Sequence, residues 1–315
     1  MNHLLRGGRR LSAAVLAGLV VVAGAACGGG SPHQRHTADG RPEEVVVASF
    51  NFPESELLAQ IYVQALAAAG VPVRAEMQLG TREMVLPAFQ QGYVDLLPEY
   101  LGSALDALDA SATIDMSDRS AVAARLDEQL TRWHGRILAP SPAQDQNGLA
   151  VTRTTAARYG LRSISDLVSL DGRLTLTGPS ECPQRPYCLI GLRNVYGLHV
   201  RDFLPLDSEQ QRVTALDQGV ADVAVIFSTS GALAGGDLVL LTDDRHLQPA
   251  DNVIPVVSDR AVTRFGSRLT DTLNRVSAGL TDSELVFLNW RIGTGGRSPA
   301  AEAHGWLVRR GLAPP

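Results

Sequence analysis

The sequence predicts an α/β chain, on three observations. From Val45 onward short continuous apolar runs alternate with longer stretches of helical periodicity. Hydrophobic residues make up 45 % of the chain and aromatic ones 5 %, the balance of an ordinary globular protein. Two Pro- and polar-rich breaks, at 139–147 and 243–252, separate blocks that share the same strand-loop-helix grammar.

Taken in order, the chain opens with Arg6, Arg9 and Arg10 ahead of the apolar stretch 11–26, and then Cys27. Sixteen apolar residues fall short of the roughly 20 that cross a bilayer as a helix. The basic front and the small-residue end (Gly24, Ala25, Ala26) read as a cleaved signal segment over 1–26. A thiol placed directly after it points to lipid attachment at Cys27 and an extracytoplasmic address on the cell membrane. Gly24 departs from the larger aliphatic residue usual in a bacterial lipobox, so plain cleavage near Ala25 or Ala26 stays open as the alternative. Residues 27–43, rich in Gly, Ser, Pro and His, cannot bury a core and read as a flexible tether.

Residues 45–48 form an apolar strand, followed by the loop Phe50, Asn51, Phe52, Pro53, with Pro53 suited to a first helical turn. Leu57, Leu58, Ile61, Tyr62, Ala65, Leu66 and Ala69 then recur at helical spacing until Gly70. A second strand over 73–77 leads to Thr81, a good N-cap for a helix over 82–91, which Pro87 is expected to bend or break. A strand over 94–97 follows, with Pro98, Glu99 and Tyr100 leading into a short helix, and a longer helix runs over 118–134. Past the first break come a strand (149–152), a helix near Ser165, a strand (174–177), helices over 190–196 and 208–219, and strands at 223–227 and 238–241. Past the second come a strand (253–257) and only helices: 268–279, 283–291 and 299–310. Trp133, Trp290 and Trp306 fall in helical patterns and are assigned to the core. Two crossings suit two lobes around a cleft, with 44–146 and 249–315 in lobe 1 and 147–248 in lobe 2.

Composition excludes several chemistries. All 28 basic residues are arginines, which removes lysine Schiff bases, Walker-type phosphate loops and Ser-Lys dyads. Without the three signal arginines, 25 basic residues face 33 acidic ones, a formal charge of about minus 8 that disfavours nucleic acid. Gly-x-Ser-x-Gly, His-Glu-x-x-His and EF-hand patterns are absent, and Gly293, Gly295 and Gly296 follow no strand. No metal, cofactor or catalytic residue is therefore expected, and the reading is a binding protein rather than an enzyme. With Cys27 set aside, Cys182 and Cys188 remain, an even pair around a short Pro-rich loop in an oxidising compartment, expected to form a disulfide.

Several segments carry a family resemblance: Ala48-Ser49-Phe50-Asn51-Phe52-Pro53-Glu54, Leu79-Gly80-Thr81, the run from Asp95 to Ser103 (DLLPEYLGS), Tyr159 to Leu167 (YGLRSISDL), Val195 to Leu198 (VYGL) and Phe227-Ser228-Thr229. In this order and register the chain resembles the substrate-binding proteins of osmoprotectant ABC importers, those for glycine betaine, choline and carnitine. The resemblance implies a two-lobe type II periplasmic-binding-protein fold with a ligand cleft between the lobes. It implies a monomeric receptor, held to the membrane by its lipid, that delivers a small molecule to ABC permease subunits without altering it. It places ligand contacts on Ser49, Phe50, Asn51, Phe52, Thr81, Tyr100, the crossing from Asp145 to Asn147, Ser180, Glu181, Phe227, Ser228 and Thr229, and the polar Asp251 and Asn252 of the second crossing are read as ligand contacts beside them. Family members that trap trimethylammonium groups tend to carry tyrosines where this chain has Asn147 and Asp251, which shifts the expectation toward a hydroxyl-bearing or otherwise polar ligand, quaternary ammonium compounds remaining the alternative. A secreted enzyme on the same scaffold and a sensor lipoprotein without transport are the rival functions.

Overall fold

Val45–Phe50 (β1), the apolar run at the head of the patterned chain, is buried along its whole length. This computed structural model describes residues 44–315, so the signal segment 1–26, the lipid site at Cys27 and the tether to residue 43 lie outside the described residues. After β1 come Pro53–Ala68 (α1), Val73–Gly80 (β2), Arg82–Gln90 (α2), Leu96–Tyr100 (β3), Leu101–Leu108 (α3), Arg119–Thr131 (α4) and Gly135–Ile137 (β4). The middle of the chain supplies Asn147–Thr152 (β5), Arg153–Tyr159 (α5), Thr175–Gly178 (β6), Leu189–Gly191 (α6), Asp202–Pro205 (β7), Glu209–Asp217 (α7), Val223–Phe227 (β8) and Leu238–Leu241 (β9). Val253–Ser258 (β10), Asp259–Gly279 (α8), Asp282–Gly293 (α9) and Pro299–Arg309 (α10) complete it.

The strands make two sheets, in the orders β2-β1-β3-β10-β4 and β7-β6-β8-β5-β9. In each, parallel strands joined through helices are extended by an antiparallel strand that arrives from the other half: β10 between β3 and β4, and β5 between β8 and β9. Each sheet is covered on both faces, as a mostly parallel sheet requires. On the first, Leu57, Ile61 and Tyr62 of α1 pack with Leu273, Leu285, Leu288 and Trp306 of the three terminal helices. Val85, Phe89, Leu101, Leu105 and Leu126 cover its other face. On the second, Leu176, Leu192 and Tyr196 sit beside the bridged pair Cys182–Cys188, whose Cα atoms are 5.3 Å apart. Ala215, Leu216 and Ile226 fill the opposite face.

The structure corrects the sequence reading in several places. Pro98 was expected to end a strand, yet β3 runs through it, with Pro98 directly opposite Pro255 of β10, so the missing donors fall at one level of the sheet. Pro87 neither breaks nor ends α2. The helix is short, and Gln91 N–H still reaches the Pro87 carbonyl at 3.0 Å. The helix near Ser165 is a 3-10 turn over Ile164–Leu170, and the one at 190–196 opens as α6 and continues as a π-helical stretch, Leu192–Tyr196. β4, α5 and β7 were not foreseen, being short and weakly apolar. The helix read as beginning at 268 starts at Asp259 and is broken at Gly266, whose φ of +53° only glycine adopts at low cost.

The two crossing segments lie side by side. Gln144 and Asn252 form an isolated antiparallel bridge, Asp145 N–H donates to the Asp251 carbonyl at 3.0 Å, and Ser141 and Ala143 exchange backbone bonds with Val253. The Asn252 amide reaches the Ser141 carbonyl at 2.9 Å. Ser228, at the end of β8, clasps the same pair by donating to the Gln144 carbonyl and accepting from Gln146 N–H, each at 2.9 Å. The passage between sheets is therefore a two-stranded hydrogen-bonded ribbon.

Candidate ligand-binding site

A cavity of about 720 Å³ opens beside this ribbon, walled by residues from both sheets and from α9. On the first side, β1 carries an irregularity between Ala48 and Phe50 in its pairing with β2. Ser49 Oγ accepts from Gln78 N–H at 2.8 Å, where Gln78 has a φ of +53°, and Asn51 N–H bonds the Gly80 carbonyl. That bulge turns the loop after β1 so that Phe52 faces the cavity, 39 % exposed, while Phe50 stays buried behind it. The rings stack in series, Phe50 on Phe52 with centroids 6.0 Å apart and Phe52 on Tyr100 at 6.2 Å. Arg82 lies over the back of Phe50 at 5.3 Å and is held bidentate by the buried Glu99, at 2.8 and 3.0 Å.

Tyr100 ends β3 and donates its hydroxyl to Glu54 Oε1 at 2.6 Å. Glu54 sits in the first turn of α1, where the helix dipole favours a carboxylate. Its other oxygen accepts from the Asn289 side-chain amide, which also donates to the Thr229 carbonyl at 2.9 Å. Asn289 thereby ties α1, α9 and the end of β8 together. Next to it, Trp290 is 38 % exposed and lines the cavity. Its assignment to the core is overturned: α9 buries Leu285 and Leu288 on one face, which turns Trp290 outward, whereas Trp306 is fully buried and Trp133 packs partly buried near α4.

The ribbon contributes two acids. Asp251 accepts from Ser103 N–H at 2.9 Å and from Ser103 Oγ–H at 2.6 Å, and burial pushes its carboxyl up to about 6. Asp145 accepts from Thr229 Oγ1–H at 2.7 Å; burial first, and then the neighbouring Glu54 charge, holds its carboxyl well above the usual range. Burial and the Glu54 charge also raise the Tyr100 phenol, which keeps it a donor. From the second sheet come Asn147 and Phe227, and beside it Ser230 and, from α7, Glu209, the last accepting from Phe227 N–H at 3.1 Å and Ser230 Oγ–H at 2.6 Å.

Of the residues expected at the site, Phe52, Tyr100, Asp145, Asn147, Phe227, Thr229 and Asp251 share the cavity wall. Ser49 and Phe50 lie behind it as supports, and Asn252 and Ser228 belong to the ribbon. Asn51 and Thr81 are exposed outside the lining, as are Ser180 and Glu181. The sequence reading missed Glu54, Arg82, Ser103, Glu209, Asn289 and Trp290 as wall residues. Glu54 stood inside a quoted motif; for Asn289 and Trp290 the only signal was a polar-aromatic pair in an amphipathic helix.

What the wall can do is hold a small solute between ring faces and hydrogen-bond acceptors. Among the described residues no cluster of His, Cys, Asp and Glu is arranged to hold a metal ion, and no helix is long and apolar enough to cross a membrane.

Residues 43–309 match the model of the substrate-binding domain of ABC-type glycine betaine transport systems. The chain is 28 % identical to the glycine betaine-binding protein YehZ of Escherichia coli, over 82 % of this chain and 88 % of that protein. It is 26 % identical to the substrate-binding protein CosB of a chemotactic signal transduction system in Halobacterium salinarum, over 82 % of each. A solved glycine betaine/carnitine/choline ABC transporter protein shares the fold, with a TM-score of 0.78 at 21 % identity, across 85 % of this chain and 99 % of that one.

Proposed function

Because this chain belongs to the family of substrate-binding domains of ABC-type glycine betaine transport systems, we propose that it is the extracytoplasmic receptor that captures an osmoprotectant-like solute and hands it to an ABC permease. Members of the family are binding proteins, and the fold is the two-lobed one such receptors share. In this reading 44–146 with 249–315 and 147–248 are the moving halves, the ribbon at 139–147 and 243–252 is the hinge, and Cys27 carries a lipid that keeps a monomer at the membrane. Ligand stabilises the shut form through contacts that the parted halves cannot both make.

The observation that carries the proposal is the cavity itself: Phe52 and Tyr100 from one side and Asn147, Phe227 and Thr229 from the other meet around one space, with Asp145 and Asp251 at the pivot. The solute is a quaternary ammonium compound or a polar, hydroxylated one, since exposed ring faces suit either and each face contributes roughly 0.5 to 2 kcal/mol to a cation. Isothermal calorimetry of the mature protein against glycine betaine, choline, carnitine and proline betaine, then against polyhydroxylated and aromatic compounds, should return at least one micromolar ligand. A panel without any binding removes the proposal. The likeness to a chemotaxis receptor supports a second reading, a sensor that binds the same class of solute without importing it; uptake that persists after deletion of the gene would favour it.

A further inference from the structure

Polar groups on the cavity wall are strongly biased toward acceptors. Four carboxyl groups, Glu54, Asp145, Glu209 and Asp251, line the space. Each is met by neutral donors only. Glu54 has the Tyr100 hydroxyl and the Asn289 amide, Asp251 has Ser103, and Glu209 has Phe227 N–H and Ser230. Asp145 is the least satisfied, with one hydrogen bond from Thr229. Among the described residues none of the four is in an ion pair, and the single arginine on the wall, Arg82, is held by Glu99 through Nε and Nη2, its remaining nitrogen facing a wall where Asp251 already feels its charge. One shared guanidinium against four acids leaves an incoming carboxylate outnumbered.

On the receptor reading above, on which this step rests, we infer that the site selects an uncharged or cationic solute that carries O–H or N–H donors and rejects solutes that carry a carboxylate. The donor meets the open side of Asp145, and the remainder of the ligand lies on Phe52, Phe227 and Trp290. Each wall element then has a distinct role: the rings hold any compact or flat apolar body, while the carboxyl groups sort ligands by what they donate.

Choline and glycine betaine make a matched pair for the test, since both carry a trimethylammonium group and they differ in a terminal hydroxyl against a terminal carboxylate. Calorimetry on the mature wild-type protein, with resorcinol added as a flat diol, should show choline bound about 100-fold or more tightly than betaine, because a carboxylate would oppose the Glu54 charge that already bears on Asp145, and opposing like charges across a desolvated contact is heavily penalised. In Asp145→Asn, checked for folding by its melting curve, the gap should narrow at least about tenfold. Betaine binding as tightly as choline overturns the selectivity and leaves the receptor standing. If choline, betaine and resorcinol are all silent, the wider panel above decides: a carboxylate-bearing ligand found there overturns the selectivity alone, and silence throughout overturns the receptor reading on which the selectivity depends. Should Asp145→Asn not fold, the choline to betaine ratio in the wild type decides alone.

Discussion

Gly231 lies where the two halves press closely on one another. It opens the short 3-10 turn Gly231–Gly235, whose Ala232 and Leu233 pack into the second sheet's core, while α9 is anchored in the first by Leu285 and Leu288. A Cβ added at Gly231 would stand 2.6 Å from Trp290 N and 2.7 Å from Trp290 Cα. Both are backbone atoms and have no rotamer to change. Restoring ordinary contact means moving the seam apart from 2.6 Å to roughly 3.4 Å, nearly an ångström. Forcing an extra methyl into a packed contact costs about 1 to 3 kcal/mol. Since the clash lies between halves rather than within one, parting them relieves it. Gly231→Ala should therefore lose ligand affinity by about 5- to 150-fold, at 1.4 kcal/mol per factor of ten. Its ligand-free melting temperature should stay close to wild type, and small-angle scattering with ligand should show a larger radius of gyration. Unchanged affinity would mean that the seam is not shut in the bound state, and a collapsed melting curve would mean that the strain is relieved by unfolding; either result refutes the reasoning.

Three further outcomes are expected. Tyr100→Phe keeps the ring and removes the donor to Glu54, so urea denaturation should show a loss of about 1 to 2 kcal/mol, whereas Tyr100→Ala also removes a cavity wall and should weaken binding at least about tenfold; Ala with native affinity takes Tyr100 out of the site. Burial raises Asp251 from 3.8 to about 6, so the folded form holds that proton more tightly than the unfolded chain does. Its stabilising effect is complete below the lower value and lost as pH rises through about 6, and Asp251→Asn should flatten the stability profile in that window by up to about 1.4 kcal/mol per pH unit; an unaltered slope assigns the titration to another group. Reduction of the Cys182–Cys188 bridge frees the unfolded chain and should cost about 2 kcal/mol, read as a lower melting temperature in reductant; identical melts with and without reductant would contradict it.

Much of the architecture was legible because the strands of the two sheets are nearly continuous apolar runs. Val45 to Ala48 and Val223 to Phe227 need no partner to be recognised, and Gly70 punctuates the helix it ends. What escaped was whatever depends on a neighbour. Pro98 sits in a central strand because Pro255 arrives opposite it from more than 150 residues away, a coincidence of register no local pattern contains. Asp202–Pro205 is a strand only because Thr175–Gly178 offers it an edge. The site divides in the same way. Residues at or just after the ends of strands, such as Phe52, Tyr100 and Phe227, stand where binding groups collect, and the family resemblance marked them. Glu209, Asn289 and Trp290 lie on helices whose outward face looks solvated until the other half closes over it. Trp290 shows the limit of periodicity most plainly, since helical spacing places a side chain on a face without saying what that face meets.

Asp145 and Asp251 belong both to the ribbon that joins the halves and to the wall that meets the solute, with Asp145 N–H bonded to the Asp251 carbonyl. In the proposed receptor, recognition is thus sited at the axle as well as at the rim. Retuning such a receptor by exchanging either acid would alter stiffness and selectivity in a single edit, so a designer wanting a new cargo with the old swing should begin at Phe227 or Trp290, which line the wall outside the ribbon.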